Sequence, residues 1–312
     1  MSKDVSILIP TKNRPLLLER LFKSINNQSF LEKNKIFCHI VDSSENTKTR
    51  ELVSSWIKNS RNNLFIDYEF NNFDLNPIDN WLLLIDKIDT DFSKFMCDDD
   101  WLDNRALDIF FKYMDKDINC IISNINVQFP NSNKNISNYY KLKNELINPE
   151  NVVDAFLGIN NSIPVTQSAS FLRSSALVDA FNFSLKNLSC TNRLFGEDLT
   201  LNYFHSFKNI STLLINESIV YSWAGSDSLT LNSNLSIINY CNVMAIDLLA
   251  SEFNIILSSS QKKIIRHYLF TNGIKRILNN DYGDIKYEGS LLPVPSLLKL
   301  YKHLKRKTLF KK

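Results

Sequence analysis

The sequence predicts an α/β fold: a mostly parallel sheet flanked by helices, followed by a C-terminal α-helical appendage. Three observations lead there. Over the first hundred residues, short apolar runs alternate with segments whose apolar residues recur at helical spacing. That order gives parallel strands joined by crossover helices. Two of the runs end in acids, at Asp42 and at the triplet Asp98, Asp99 and Asp100. In such sheets, ligands sit at the carboxyl ends of the strands where the strand order reverses, so these distant acids are expected to lie together. After residue 226 the strand-like runs stop and two long apolar-periodic segments follow.

Each element has its own signal. Residues 5–10 form the first strand. Residues 15–26 form the first helix, with Leu17, Leu18, Leu21, Phe22 and Ile25 on one face. A strand over 36–42 leads to a helix over 48–59 carrying Leu52, Val53, Trp56 and Ile57 on one face. A strand over 65–70 leads to a helix over 77–88, where Pro77 suits the first turn. A fourth strand, 94–97, ends at the acidic triplet, and a helix over 104–114 and a strand over 120–127 continue the alternation. Residues 128–150 are polar and read as a loop over the site. A helix over 151–157, a strand over 168–172 and a helix from Ser174 come next. Gly196-Glu197-Asp198 precedes a further helix, and 211–215 and 219–223 read as two short strands. Helices over 235–253 and 261–278 make the appendage. The expected division is 1–226 for the sheet domain with the candidate site, and 227–312 for the helical region and its tail.

Composition narrows the functional classes. The chain has 312 residues, 44% of them hydrophobic, enough for a sizeable core. A formal net charge of +3 makes the whole chain no polyelectrolyte binder, and no nucleic-acid partner is expected. Five cysteines without a Cys-x-x-Cys pair argue against a disulfide framework and a zinc site, and for reduced thiols in a cytoplasmic protein. The first residues run straight into a strand without the pattern of a signal peptide. No apolar run approaches the ~20 residues that span a bilayer. Charge is nonetheless uneven, since the stretch from Lys299 to Lys312 contains no acid. Leu298, Leu300, Tyr301, Leu304, Leu309 and Phe310 lie among its basic residues. Segment 297–312 therefore suits an interfacial helix on an anionic membrane, at ~1 kcal/mol per basic residue, or a solvated basic terminus.

The chemistry concentrates at Lys-Phe-Met-Cys-Asp-Asp-Asp-Trp-Leu, residues 94–102. Three adjacent carboxylates repel unless a positive group sits among them. A hard divalent cation, Mg²⁺ or Mn²⁺, takes oxygen ligands and phosphates together. The alternative is a solvated acidic turn that caps a helix beginning near Leu102. The loop 10–14 follows a strand and opens a helix, so its amides and the Arg14 guanidinium can meet a phosphate or a base; otherwise Arg14 is a solvated charge at a helix start. Asp42 can accept from a pyrimidine N–H or a ribose hydroxyl, or cap a turn through Ser43 and Ser44. Glu197 and Asp198 can supply a base if burial raises a pKa, or cap a first turn.

With these positions in hand, the first ~225 residues resemble a family 2-type GT-A glycosyltransferase of the bacterial surface-polysaccharide kind. Four features carry the resemblance, in order along the chain. They are Val5-Ser6-Ile7-Leu8-Ile9-Pro10-Thr11-Lys12-Asn13-Arg14-Pro15, Asp42, the acidic cluster before Trp101-Leu102, and Glu197-Asp198. The resemblance implies a Rossmann-like GT-A sheet and a nucleotide-sugar donor. Donor contacts would come from Pro10, Thr11, Asn13, Arg14, Asp42, Asn72, Asn80 and Asp98. Asp99 and Asp100 would hold Mn²⁺ or Mg²⁺. Asp198 would be the base that deprotonates an acceptor hydroxyl, with Glu197 orienting it, and a single in-line attack would invert the anomeric centre. The acceptor is expected to be a saccharide, lipid-linked if the tail rests on the inner face of the cell membrane.

The sequence also departs from the family pattern. The stretch from Asn72 to Asn80 has Asp74 where the family has glycine and Asp79 where arginine is common. Counting back from Trp101 puts Cys97 at the family's first aspartate and makes Asp99 the metal ligand, whereas reading Asp98-x-Asp100 gives another ligand. No histidine occurs near Tyr221-Ser222-Trp223, where the family often has one; Ser226, Asp227 or water could stand in. Tyr221 and Trp223 could stack on a sugar or pack in the core, and His205 is expected to be structural. Two rival classes remain. A sugar nucleotidyltransferase would need a glycine-rich loop after the first strand, and 10–14 has no glycine. A non-catalytic sugar-binding protein could share the fold.

Overall fold

The computed structural model describes residues 3–71, 77–130, 134–187, 196–225 and 235–278. The first half follows the predicted alternation: β1 (Val5–Thr11), α1 (Pro15–Asn26), β2 (Ile36–Asp42), α2 (Lys48–Asn59), β3 (Leu64–Phe70), α3 (Pro77–Ile85) and β4 (Phe92–Phe95). β1 is buried almost throughout, as a strand covered on both faces must be. It pairs in parallel with β2 on one side and β4 on the other, so the strand order reverses there. The register sets Thr11 beside Asp42 and Leu8 beside Phe95. Pro15 opens α1, whose Leu18, Leu21, Phe22 and Ile25 are buried, and Phe22 stacks on Trp56 of α2 at 3.9 Å.

Two boundaries move for local reasons. α3 ends at Ile85 because its last turn tightens: Lys87 N–H and Ile88 N–H reach back three residues, to Leu84 O and Ile85 O. β4 ends at Phe95, and the N–H of Cys97 turns to Ser168 Oγ at 3.0 Å.

The second half contains β5 (Trp101–Leu102), α4 (Ala106–Tyr113), β6 (Cys120–Phe129), β7 (Lys134–Ile136), β8 (Glu145–Leu146), α5 (Pro149–Phe156), β9 (Ser170–Arg173), α6 (Ser174–Asn187), α7 (Glu197–Asn209) and β10 (Thr212–Trp223). The sheet order is β3-β2-β1-β4-β9-β6-β10-β5, with β7 beside β6 and β8 beside β10. The sheet is mixed: β9 is antiparallel to both neighbours, while the long ladders β1–β2, β2–β3 and β6–β10 are parallel. Because β9 runs backwards, its N-terminal end reaches the C-terminal end of β4. The two strands expected over 211–223 are one. The polar Asn216-Glu217-Ser218 makes an irregularity in register instead of a turn. β5 replaces the helix start expected near Leu102 and pairs Trp101 with Tyr221. The loop 128–150 is partly ordered as β7 and β8.

The appendage begins with α8 (Leu235–Glu252) and α9 (Ser259–Leu278). α8 places Cys241, Val243, Met244, Ala245, Ile246 and Leu249 in the same buried core as the strands. Gly196 makes this close approach possible: it has φ +100°, and a Cβ there would lie 2.9 Å from Cys241 O. In α9, Gln261 Nε2 donates to Asp154 Oδ1 of α5 at 2.7 Å. No helix among the described residues is long and apolar enough to cross a membrane. The predicted boundary at 226–227, Asn72, Asp74, Ser226, Asp227 and the basic tail 297–312 lie outside the described residues.

Candidate active site

The carboxyl ends of β1, β2 and β4 lie side by side, and the predicted residues on them divide into two groups. The first surrounds Asp98. Thr11 Oγ1 donates to Asp98 Oδ2 at 2.8 Å. Arg14 Nη1 lies 3.1 Å from Asp98 Oδ1 and 3.3 Å from Asp99 Oδ2. Arg14 is therefore the positive group that lets adjacent carboxylates share one turn, not a solvated charge. Burial pushes Asp98 up to about 6, with Arg14 opposing.

Other predicted donor residues hold the protein to itself. Asn13 has φ 58°. Its N–H donates to Ser44 Oγ at 2.8 Å, and its Oδ1 accepts from Glu45 N–H at 3.0 Å. It thus fastens the loop after β1 to the loop after β2. Pro10 lies within β1, opposite Val41. Asp42 is 0% exposed. Its Oδ1 accepts from Ser44 N–H at 2.8 Å and its Oδ2 from Tyr68 Oη–H at 2.7 Å, so the turn-capping alternative is the arrangement formed. At this end of β2, half-buried Tyr68 is more exposed than Asp42. Asn80 Nδ2 donates to Ser43 Oγ at 2.6 Å, and its buried Oδ1 has no partner among the described residues.

The second group surrounds Asp100. Its Oδ1 accepts from Trp223 N–H at 3.0 Å and its Oδ2 from Thr166 Oγ1 at 3.5 Å. Burial, then the neighbouring Asp99, push Asp100 up to about 7. Cys97 Sγ and one carboxylate oxygen each from Asp99 and Asp100 lie within 4.8 Å of one another. A thiol and two carboxyl groups converging in this way fit a divalent cation.

The reversed direction of β9 completes the site. The turn before it carries Gln167, whose Nε2 donates to Asp198 O at 2.9 Å. Asn202 of α7 donates to Val165 O and Thr166 O at 2.7 and 3.2 Å. Burial pushes the Asp198 carboxyl up to about 7; Gln167 opposes this, and the charge of Asp100 adds to it. Through Thr166 on Asp100 and Gln167 on Asp198, one turn ties the two acids together despite their separation along the chain. Glu197, in the same first turn, is 3% exposed.

One residue escaped the sequence reading. Lys94 on β4 is wholly buried, and its Nζ donates to Ser168 O at 2.6 Å and Ser170 O at 2.9 Å. It lies 4.7 Å from the centre of the Phe110 ring. Burial pushes its ammonium down to about 7, with Asp100 opposing. The signal was available: a lysine in the strand Phe-Ser-Lys-Phe, next to the switch point, needs a buried partner.

The aromatic residues at the sheet edge are occupied by protein. The Arg20 guanidinium lies 3.9 Å from the Trp101 ring centre and 4.3 Å from that of Trp223. Trp101 stacks on Tyr221 at 5.2 Å, and Arg20 Nη2 donates to Asp99 O at 2.5 Å. His205 Nε2 donates to Ala176 O at 2.9 Å inside the fold, in a structural position as expected. A separate open cleft of about 560 Å³, lined by Lys141, Lys143, Asn151, Asn160 and Leu214 among others, lies towards the start of β10, and its lining includes none of the site acids.

Residues 6–177 match the profile of the family described as Glycosyl transferase family 2. Over 111 residues the chain is 33% identical to the abequosyltransferase RfbV of Salmonella typhimurium (strain LT2), a stretch covering 36% of this chain and 32% of that protein. The match thus spans about a third of that relative's length. Among solved structures, residues 1–349 of S. aureus TarS, in complex with UDP-GlcNAc, match with TM-score 0.61 and 14% identity, over 92% of this chain and 77% of that one. A further S. aureus TarS structure matches with TM-score 0.55 and 15% identity, over 92% of this chain and 46% of that one. At such identities the likeness to TarS is one of fold.

Proposed function

The chain belongs to glycosyl transferase family 2, and from that premise we propose that it moves a sugar from a nucleotide-sugar donor to a hydroxyl of a saccharide acceptor. The observation that carries this reading is that one turn, Thr166-Gln167, touches both Asp100, after β4, and Asp198, in the first turn of α7, beside the switch point of a GT-A-type sheet.

The chemistry asks for two things. Charge developing on the departing nucleoside diphosphate must be neutralised, and the acceptor hydroxyl must lose a proton. Held by Asp99 and Asp100, Mn²⁺ or Mg²⁺ would supply Lewis-acid neutralisation. Arg14 adds a fixed positive group beside Asp98, where it can meet a phosphate. Asp98, Thr11, Asn80 and the end of β2 bind the nucleoside, and Tyr68 is there the more exposed neighbour of Asp42. Asp198 takes the acceptor proton; a carboxyl titrating near neutrality is well matched to that task. Glu197 orients the acceptor. Attack from the side opposite the leaving group inverts the anomeric centre. The partial likeness to an abequosyltransferase supports a place in bacterial surface-polysaccharide synthesis. Residues 1–226 carry the reaction. The 227–312 region shapes the acceptor side, and its basic tail would hold the enzyme to the cytoplasmic face of the membrane, beside a lipid-linked acceptor.

Incubating the full chain with a panel of nucleotide sugars, Mn²⁺ and saccharide acceptors tests the proposal. Release of a nucleoside diphosphate coupled to acceptor glycosylation is expected. Release of pyrophosphate would favour a nucleotidyltransferase. Donor binding without any turnover would favour a sugar-binding protein.

A further inference from the structure

Cys97 is the departure from the family pattern that the transfer reaction does not itself require. Its position is set by the backbone. Its N–H is tied to Ser168 Oγ at 3.0 Å, and Asp100 N–H closes a turn onto Cys97 O at 3.1 Å. Asp98 points away from this turn, onto Thr11 and Arg14. The groups left converging are Cys97 Sγ and the carboxylates of Asp99 and Asp100, within 4.8 Å of one another. Each carboxylate has another tie, Asp99 to Arg14 and Asp100 to Trp223 N–H and Thr166, and each oxygen keeps a further lone pair. The turn that fixes Cys97 also carries Gln167, 1% exposed, whose Oε1 has no partner among the described residues. A buried acceptor of this kind points to a missing donor.

We propose that Cys97 is a direct ligand of the cation, so that the site is a mixed centre of one sulfur and two carboxylates. The proposal rests on the cation-dependent reading of the site. Sulfur is a soft donor. It favours Zn²⁺, Cd²⁺ or Co²⁺ over Mg²⁺, which prefers oxygen and retains its water. With Asp99 and Asp100 beside it, the centre would still accept Mn²⁺ but bind Cd²⁺ or Zn²⁺ more tightly.

Cobalt provides a test that needs no substrate. The metal-free full chain is titrated with Co²⁺, with and without uridine or guanosine diphosphate, and binding is measured by equilibrium dialysis and absorption. The expected result is a near-ultraviolet thiolate-to-cobalt charge-transfer band that Cd²⁺ or Zn²⁺ displaces more readily than Mn²⁺ does. The band should vanish in Cys97→Ser and Cys97→Asp and persist in Cys190→Ser. Cys97→Asp should still bind cations but lose about tenfold or more in preference for Cd²⁺ over Mg²⁺. Unfolding curves of each variant check that it folds. Bound cobalt without the band, or a band that survives in both Cys97 variants, overturns Cys97 as a ligand and leaves the cation site standing. Failure to bind Co²⁺ or Mn²⁺ under any of these conditions overturns the cation site as well.

Discussion

Replacing Lys94 by methionine tests how the site is built. In the folded protein burial holds the Lys94 ammonium down to about 7, whereas a lysine in the unfolded chain titrates at about 10.4. Between these values the unfolded chain carries a proton that the native protein has shed. Stability therefore rises with pH through that window, by up to about 1.4 kcal/mol per pH unit, and the burial penalty is fully present below it. Integrated from pH 7 to 9, the gain is about 2 kcal/mol. Methionine has a similar length and does not titrate. It loses the hydrogen bonds to Ser168 O and Ser170 O, worth about 1.5–3 kcal/mol each. It also relieves a desolvation penalty of up to about 5 kcal/mol. These effects nearly cancel, so the variant should fold. Urea unfolding of both proteins at pH 6, 7, 8 and 9 reads the result. Relative to the variant, the unsubstituted protein should gain about 2 kcal/mol between pH 7 and 9, while other titrating groups cancel. Parallel stability curves would refute a Lys94 whose ammonium burial holds down.

Other expectations concern the reaction and the packing behind it. Asp198→Asn should lower turnover by about a thousandfold or more while nucleotide binding, followed calorimetrically, survives; lost binding would remove Asp198 from the base role. Because burial raises Asp198 to about 7, the base is protonated below that pH. kcat/KM should therefore climb about tenfold per unit up to pH 7 and then level, and a flat profile from pH 5.5 to 8 would contradict this. Gly196→Ala would force a Cβ to within 2.9 Å of Cys241 O at a positive φ. A loss of about 2 kcal/mol or more in thermal unfolding is expected, and an unchanged melting temperature would argue against the close contact of α7 with α8. Arg20→Lys keeps the charge but loses the planar layer between Trp101 and Trp223. It should destabilise by about 1–2 kcal/mol, and a neutral outcome would mean the stack is incidental.

Much of this protein was readable from residue order. The alternation over the first hundred residues, the acids closing β2 and following β4, and Glu197-Asp198 at a helix start all follow from local periodicity and from the chemistry of side chains at strand ends. The misreadings share a cause. The 216–218 stretch looked like a turn but is an irregularity in one strand, and Leu102 looked like a helix start but pairs with Val220, because in both places a distant strand supplies the hydrogen bonds. Asp42 shows the same limit at the site: its place at a strand end was legible, but not that Tyr68 and Ser44 both donate to its carboxylate.

By itself, then, the sequence determined the strand–helix alternation of the first half and which acids stand at its strand ends, since both depend on neighbours within a turn or two. Tertiary structure alone decided that β9 runs antiparallel between β4 and β6. That single reversal sets Gln167 on Asp198, Ser168 against Cys97 and two carbonyls over Lys94. The direction of one short strand is chosen by the total burial and hydrogen bonding of the whole sheet, a quantity no local window of residues contains.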